Sequence, residues 1–339
     1  DGASATPRGR AREMAATSRS SSATATLVNL VQTASADEDF LHLQVRLRAA
    51  ADQLAAKDDG TDEAVAAASF LDFVAQALHQ APGDVPSLRR LQQQSARYLE
   101  FVANSASRLA SQGSDLLVTA IRAGSGGGAG GQIVGDGCCV LTHGHSRYAT
   151  ALLLRMAART HFTVLVAESR PDGSGHTTAS ELSAAGVPVR VIEFGAAARC
   201  MAQVHFALCG AHAVLADGGV LGRVGTLTLA HSAHAHGRPF YVAVPNHAFT
   251  HTRHLDATAQ AAVRAEPTKG DRRILSERPQ RDSTPPHLIT LLLTDVGVMT
   301  ASAVADEMLR RQHLTSRRAV SEIDRAGSTY VYGVTPYRE

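Results

Sequence analysis

Four stretches of the chain concentrate residues able to hold an anion or move a proton: Thr142-His143-Gly144-His145-Ser146-Arg147, Glu168 to Gly175, Gly210-Ala211-His212, and Asp217 to Thr226. Each is rich in Gly, Ser, Thr and Arg. Small residues let backbone N–H groups and helix starts approach an anion, and guanidinium groups neutralise it. The expected phosphate pocket therefore comprises Thr142, His143, Ser146, Arg147, Glu168, Arg170, Gly175, Asp217, Gly218, Gly219, Arg223, Gly225 and Thr226. Ser146 is expected to cap a helix beginning at Arg147, and Thr226 one that runs through His231. The same composition also suits caps and turns that hold no ligand.

Other chemistries fit less well. His143 and His145, or His231, His234 and His236, have spacings that suit a metal, yet no carboxylate or cysteine set completes either cluster, and 16 histidines make chance proximity common. No metal site is expected. His143 near Ser146 lacks the Gly-x-Ser-x-Gly elbow of a hydrolase. Cys138, Cys139, Cys200 and Cys209 show no Cys-x-x-Cys spacing and read as small buried hydrophobes in a reducing compartment.

These stretches need strands behind them. Apolar runs without helical period occur at Cys138 to Thr142, Phe162 to Ala167, Val187 to Ile192, Val204 to Cys209, Phe240 to Val244 and Leu288 to Leu293. Runs that are apolar on both faces suit a parallel sheet covered by helices on each side. The fold class is thus α/β: an N-terminal helical domain, then a doubly wound, mostly parallel, Rossmann-like sheet whose ligands sit at the carboxyl ends of its strands. In the helical part, Leu41, Val45, Leu47 and Leu54 form one expected stripe, and Phe70, Leu71, Val74 and Leu78 another. A third helix is expected from Leu88 to Gly113.

The division read from the sequence is a disordered tail at 1–26, a helical domain at 27–123, a Gly-rich loop at 124–135, the α/β domain at 136–310 and an extension at 311–339. A polar stretch at 247–286 reads as a mobile surface insertion. The 339 residues match a prior of roughly two domains. A formal charge of +2 (Lys+Arg 33, Asp+Glu 31) gives no global reason to expect nucleic acid, and no apolar run approaches the roughly 20 residues of a membrane span.

Val140-Leu-Thr-His143 with Ser146-Arg147, Val166-Ala-Glu-Ser-Arg-Pro-Asp172 with Ser174-Gly175, Gly186-Val-Pro-Val189, Asp217-Gly-Gly-Val with Val224-Gly-Thr226, and Arg238-Pro-Phe-Tyr-Val242 resemble the regulatory-subunit family of translation initiation factor 2B. Leu288 to Glu307, with its Thr-Asp-x-Gly and Ser-Ala-Val-x-Asp-Glu pieces, resembles the alpha branch. The likeness covers roughly Leu41 to Leu309. It implies a cytoplasmic, non-catalytic regulatory subunit that forms a homodimer and joins beta and delta subunits. It also implies that the helical domain meets the phosphorylated alpha subunit of initiation factor 2; Arg46, Arg48, Arg89, Arg90, Arg97 and Arg108 are the candidate contacts. No cofactor is required, and a phosphorylated sugar or nucleoside monophosphate is the expected ligand.

The same superfamily includes methylthioribose-1-phosphate isomerase. There a cysteine follows the Leu-Thr-His piece and an aspartate the Gly-Ala piece, and the two move the proton. Here Gly144 and His212 stand at those positions, so the general acid/base pair is missing. The apolar residues Val296, Val298, Met299, Val304, Met308 and Leu309 after the last run exceed what one strand and one helix bury, so some are expected to face a partner.

Overall fold

The computed structural model describes residues 18–35, 40–57, 62–79, 88–124, 138–168, 173–250, 265–268, 271–277 and 280–314. They form two compact units. One reaches to Ser105 and takes in the chain from Leu309; the other runs from Ala106 to Met308.

The helical unit contains α1 (Ser18–Gln32), α2 (Phe40–Lys57), α3 (Asp62–His79) and α4 (Leu88–Ala103). Residues four apart share a helix face, so α2 buries Leu43, Leu47 and Ala51. That corrects the expected stripe: Leu41 and Val45 lie on the opposite face, 66% and 60% exposed. Phe70 and Val74 on α3 are buried as expected, against Leu27, Val28 and Val31 of α1. Phe70, Phe73 and Tyr98 stack at centroid distances of 4.7 to 5.9 Å, and the Tyr98 hydroxyl meets Ser69 Oγ at 2.9 Å. Part of the segment read as a disordered tail is helix, and its Ala23 and Thr24 are fully buried. Residues 1–17 of that tail lie outside the described residues.

The expected third helix is two, with α5 (Ser105–Gly124) beginning after Asn104. Leu109, Leu117, Val118 and Ile121 of α5 enter the core of the second unit. The boundary between units therefore falls at Ser105 and not near residue 123. Of the Gly-rich loop, residues 125–135 lie outside the described residues.

The second unit is built on β1 (Cys138–His143), α6 (Arg147–Ala157), β2 (Phe162–Ala167), α7 (Gly175–Ala184), β3 (Val189–Ile192), the short α8 (Ala197–Cys200) and β4 (Phe206–Gly210). After β4 come β5 (Ala213–Val214), β6 (Val220–Arg223), α9 (Thr226–Ala235), β7 (Phe240–Ala243), β8 (Ala265–Thr268), β9 (Asp271–Glu277), β10 (Arg281–Thr284), β11 (Leu291–Thr294), β12 (Gly297–Met299) and α10 (Val304–Leu314). The main sheet has the order β12-β11-β7-β4-β1-β2-β3. All its pairings are parallel except β11 with β12. Each of the six apolar runs read as a strand contributes one.

On one face α5, α6 and α7 cover the sheet, with Leu152, Leu153, Met156 and Leu182 buried against Val140, Val164, Val166 and Leu208. On the other, α9 packs on β4 and β7. The order reverses direction between β1 and β4, which opens a crevice at their carboxyl ends.

Two expectations are corrected here. Residues 247–286, read as a mobile surface insertion, include the buried His247 and Phe249 and end in β10, which pairs antiparallel with β6 in a second sheet, β10-β6-β5. The apolar surplus after Leu288 is also absorbed. Leu288, Ile289, Leu292, Leu293, Val298, Met299, Val304 and Met308 are buried within the unit, because the segment supplies two strands and a helix start where one strand and one helix were expected. Of the expected partner-facing residues, Leu309 is exposed. Among the described residues no helix is long and apolar enough to cross a membrane.

Candidate functional site

The carboxyl end of β1 turns sharply at Gly144, whose φ of +58° favours glycine. Its N–H donates to the Ala167 carbonyl at 3.1 Å, and its own carbonyl accepts from Thr178 Oγ1 at 2.9 Å. A Cβ at Gly144 would lie 3.0 Å from Arg223 Cδ, 3.2 Å from Arg223 Nε and 3.2 Å from Ser174 Oγ. The space a side chain would need is thus taken by the arginine that ends β6. His143, just before it, is buried, with Nε2 2.8 Å from the Val224 carbonyl and Nδ1 3.3 Å from the Ala167 carbonyl. Phe194 lies against its ring at 5.0 Å.

Next along the sheet edge, Glu168 is buried at the end of β2 and accepts from His176 Nε2 at 3.1 Å. Gly175 is close to it, since a Cβ there would sit 3.2 Å from Glu168 Cα. Ser146 caps α6 as expected, its Oγ accepting the Ala149 N–H at 3.4 Å. It stands on Gly210, where a Cβ would fall 2.0 Å from Ser146 Oγ. Only glycine at the end of β4 leaves room for that cap.

The expected residues separate into groups. His143, Arg223 and Gly225 converge around Gly144, with Glu168 and Gly175 beside them. Thr142 is interior to β1 and buried. Arg147 folds over its neighbour, with its guanidinium 4.6 Å from the Tyr148 ring centroid and Nη2 donating to the Tyr148 hydroxyl at 2.5 Å. That hydroxyl also meets His247 Nε2 at 3.5 Å.

Asp217, Gly218 and Gly219 do not join the pocket. Asp217 Oδ1 accepts the Gly219 N–H at 2.9 Å, a local turn, and a Cβ at Gly218 would fall 2.2 Å from the Ala301 carbonyl oxygen. The two glycines allow a close backbone approach, Gly218 to Ala301 and Gly219 to Thr284. Arg170 lies outside the described residues. Arg108, one of the arginines expected to meet a partner, donates from Nη2 to Asp295 Oδ2 at 2.9 Å within the α/β unit.

Thr226 is corrected in role. The N-cap of α9 is Gly225, at φ +105°, and Thr226 Oγ1 donates to the Arg223 carbonyl at 2.6 Å. The capping acceptor comes from β10: Asp282 Oδ2 takes the N–H groups of Gly225 at 2.6 Å and Leu227 at 3.2 Å. Burial pushes the Asp282 carboxyl up to about 6, against the pull of those two amides. The anion at this helix start is therefore the protein's own carboxylate.

Sequence reasoning missed Asp282 and Phe194. For Asp282 the polar run Arg281-Asp-Ser-Thr284 carries no strand signal. The cysteines offer no ready base. Burial pushes Cys138 and Cys209 up to about 12 and Cys139 to about 11.

The sequence profile of the Initiation factor 2 subunit family matches residues 12–301. The chain belongs to this family. Among curated relatives of this initiation factor family member, translation initiation factor eIF2B subunit alpha of Dictyostelium discoideum is 38% identical over 193 residues, covering 53% of this chain and 60% of the relative. Ribose 1,5-bisphosphate isomerase of Haloterrigena turkmenica is 34% identical over 198 residues, 54% of this chain and 61% of the relative. The matched part spans about three fifths of the length of these relatives. Among solved structures, Pyrococcus horikoshii OT3 translation initiation factor eIF-2B aligns with a TM-score of 0.62 at 18% identity, covering 86% of this chain and 97% of that one. A chain of the tetrameric eIF2B-beta2-delta2 complex from C. thermophilum aligns with a TM-score of 0.65 at 17% identity, covering 86% and 87%. These likenesses agree with the helical-plus-parallel-sheet fold.

Proposed function

We propose that this chain is a non-catalytic regulatory subunit of the alpha type in the guanine-nucleotide exchange factor for translation initiation factor 2, acting in the cytoplasm. In this reading it pairs with a second copy, joins beta and delta subunits and helps sense the phosphorylated alpha subunit of initiation factor 2. Its pocket at the β1–β4 crevice binds a phosphorylated sugar or nucleoside monophosphate without converting it, and needs no cofactor.

The observation that carries the non-catalytic part is Gly144. The related isomerases are expected to place a thiol there. In this chain the position has no side chain, a positive φ, and Arg223 Cδ within 3.0 Å of where a Cβ would stand. Cys209 does not stand in for it, being buried and held far from a thiolate. Arg223, with its fixed charge, suits recognition of a phosphoryl group but not abstraction of a proton. The identity to ribose 1,5-bisphosphate isomerases supports a second reading, an active sugar-phosphate isomerase.

Incubating the purified chain with ribose 1,5-bisphosphate, or with methylthioribose-1-phosphate, separates the two. The expected result is binding by calorimetry with unchanged ligand. Formation of the ketose at an enzymatic rate would falsify the regulatory reading of the pocket. Co-purification with beta and delta subunits, and a dimeric mass in light scattering, test the assembly role. A strictly monomeric chain that captures neither subunit removes it.

A further inference from the structure

We propose that Asp282 is a positioning residue of the anion pocket: by holding the turn between β6 and α9 it sets where Arg223 and His143 stand. This rests on the pocket reading given above. Asp282 reaches the turn from β10, which pairs with β6 so that Asp282 lies opposite Gly222. Its Oδ2 accepts two amides at the start of α9, those of Gly225 and Leu227, and its Oδ1 is buried without a hydrogen-bond partner. Among the described residues no basic side chain pairs with it. The charge is held by two amides and the positive end of the helix alone, which makes the contact short and its geometry strict.

Everything tied to that turn faces the pocket. Gly225, fixed by the 2.6 Å bond, sits so close to the site that a Cβ on it would be 2.7 Å from Phe194 and 2.9 Å from His143 Nε2. The adjoining Val224 carbonyl meets His143 Nε2 at 2.8 Å, and the Val224 N–H donates to the Gln280 carbonyl at 3.0 Å. The Arg223 carbonyl is held by Thr226 Oγ1, and the Arg223 side chain lies over Gly144. Removing the acceptor at Asp282 releases two amides at once, and the turn that aims Arg223 loses its side-chain tie to β10, keeping the backbone pairing of β6 and the Val224–Gln280 bond. Thr226 does not replace it, because it stands at the first helical position, after the N-cap Gly225, and its hydroxyl points back to donate to the Arg223 carbonyl.

The test is calorimetric binding of ribose 1,5-bisphosphate to the full chain and to its Asp282→Ala, Asp282→Asn and Arg223→Ala variants. Asparagine keeps an oxygen that accepts the same amides and caps a helix as well as aspartate does, so Asp282→Asn should bind within about threefold of the parent. Asp282→Ala should bind on the order of tenfold more weakly, equivalent to about 1.4 kcal/mol, which is the size of a lost cap. Should Asp282→Ala fail to fold, Asp282→Ser, whose hydroxyl lacks the carboxylate's reach, takes its place with the same expectation.

Rescue by Asn but not by Ala supports positioning, since a repelling charge would make Asp282→Asn bind more tightly than the parent. That tighter binding overturns the proposal. So does unchanged binding by Asp282→Ala when Arg223→Ala has lost it, in which case the pocket survives and the positioning role does not. If the parent itself does not bind, or Arg223→Ala binds like the parent, the pocket reading fails and this inference fails with it.

Discussion

Replacing Arg108 with methionine probes the most deeply buried carboxylate of the α/β unit. Asp295, at the tip between β11 and β12, has a side chain with 0% exposure. It accepts Arg108 Nη2 at 2.9 Å and the Asn246 N–H at 2.6 Å, while Gln112 Nε2 donates to its backbone carbonyl at 3.3 Å. Burial raises its carboxyl above the ordinary range; the Asn246 amide and then Arg108 pull it back. Removing one partner of a buried pair costs about 3–5 kcal/mol. Because the Arg108 side chain is 34% exposed and the Asn246 amide remains, solvent screening reduces the expected loss to about 2 kcal/mol.

The pH dependence gives the sharper check. A carboxyl whose folded-state pKa lies above its unfolded value lets the folded chain bind more protons between the two, so stability falls as pH rises through that window. Without Arg108 the folded value moves further up and the window widens. The deficit of Arg108→Met should therefore be full at alkaline pH and shrink at acidic pH as Asp295 takes up a proton. Urea unfolding followed by near-ultraviolet circular dichroism, run at both pH values, measures it. The Arg108→Met/Asp295→Asn double variant should recover most of the loss. A deficit equal at both pH values, or no recovery in the double variant, would refute the account of Asp295 as the group left unpaired.

Gly218→Ala should cost more than about 2 kcal/mol, since a residue at φ +84° with Cβ 2.2 Å from the Ala301 oxygen combines backbone strain with a backbone clash; thermal unfolding reads it, and a near-neutral effect would contradict the packing described. Tyr98→Phe should cost about 1 kcal/mol by removing the hydrogen bond between its hydroxyl and Ser69 Oγ in the helical unit, as measured by urea unfolding. In the folded chain at mildly alkaline pH, Cys200 should react with a thiol reagent well before Cys138, Cys139 and Cys209. Burial keeps those three protonated and out of reach, and rapid labelling of Cys209 would show that the crevice opens to the interior of the sheet.

What the linear chain determined by itself was whatever depends on neighbours along it. The six apolar runs marked the strands of the parallel sheet, because strands such as β1 and β4, buried on both faces, must be apolar throughout; β3, at the sheet edge, keeps Arg190 and Val191 exposed. Ser146 announced its cap, which is a contact three residues long. The absence of a proton-transfer side chain at Gly144 is likewise a property of one position.

Tertiary structure decided what depends on elements far apart. That Gly218 passes close to Ala301 and Gly219 close to Thr284 depends on residues distant in sequence, which local composition does not record. Arg108 read as a candidate partner contact, and only the fold brings Asp295, far along the chain, to meet it. The stretch ending in Asp282 had no apolar pattern to advertise a strand, since β10 is short and its pairing with β6 needs backbone hydrogen bonds more than side-chain burial. Local composition records which groups are available; a carboxylate from one sheet capping a helix that follows another strand exists only once the chain has closed on itself.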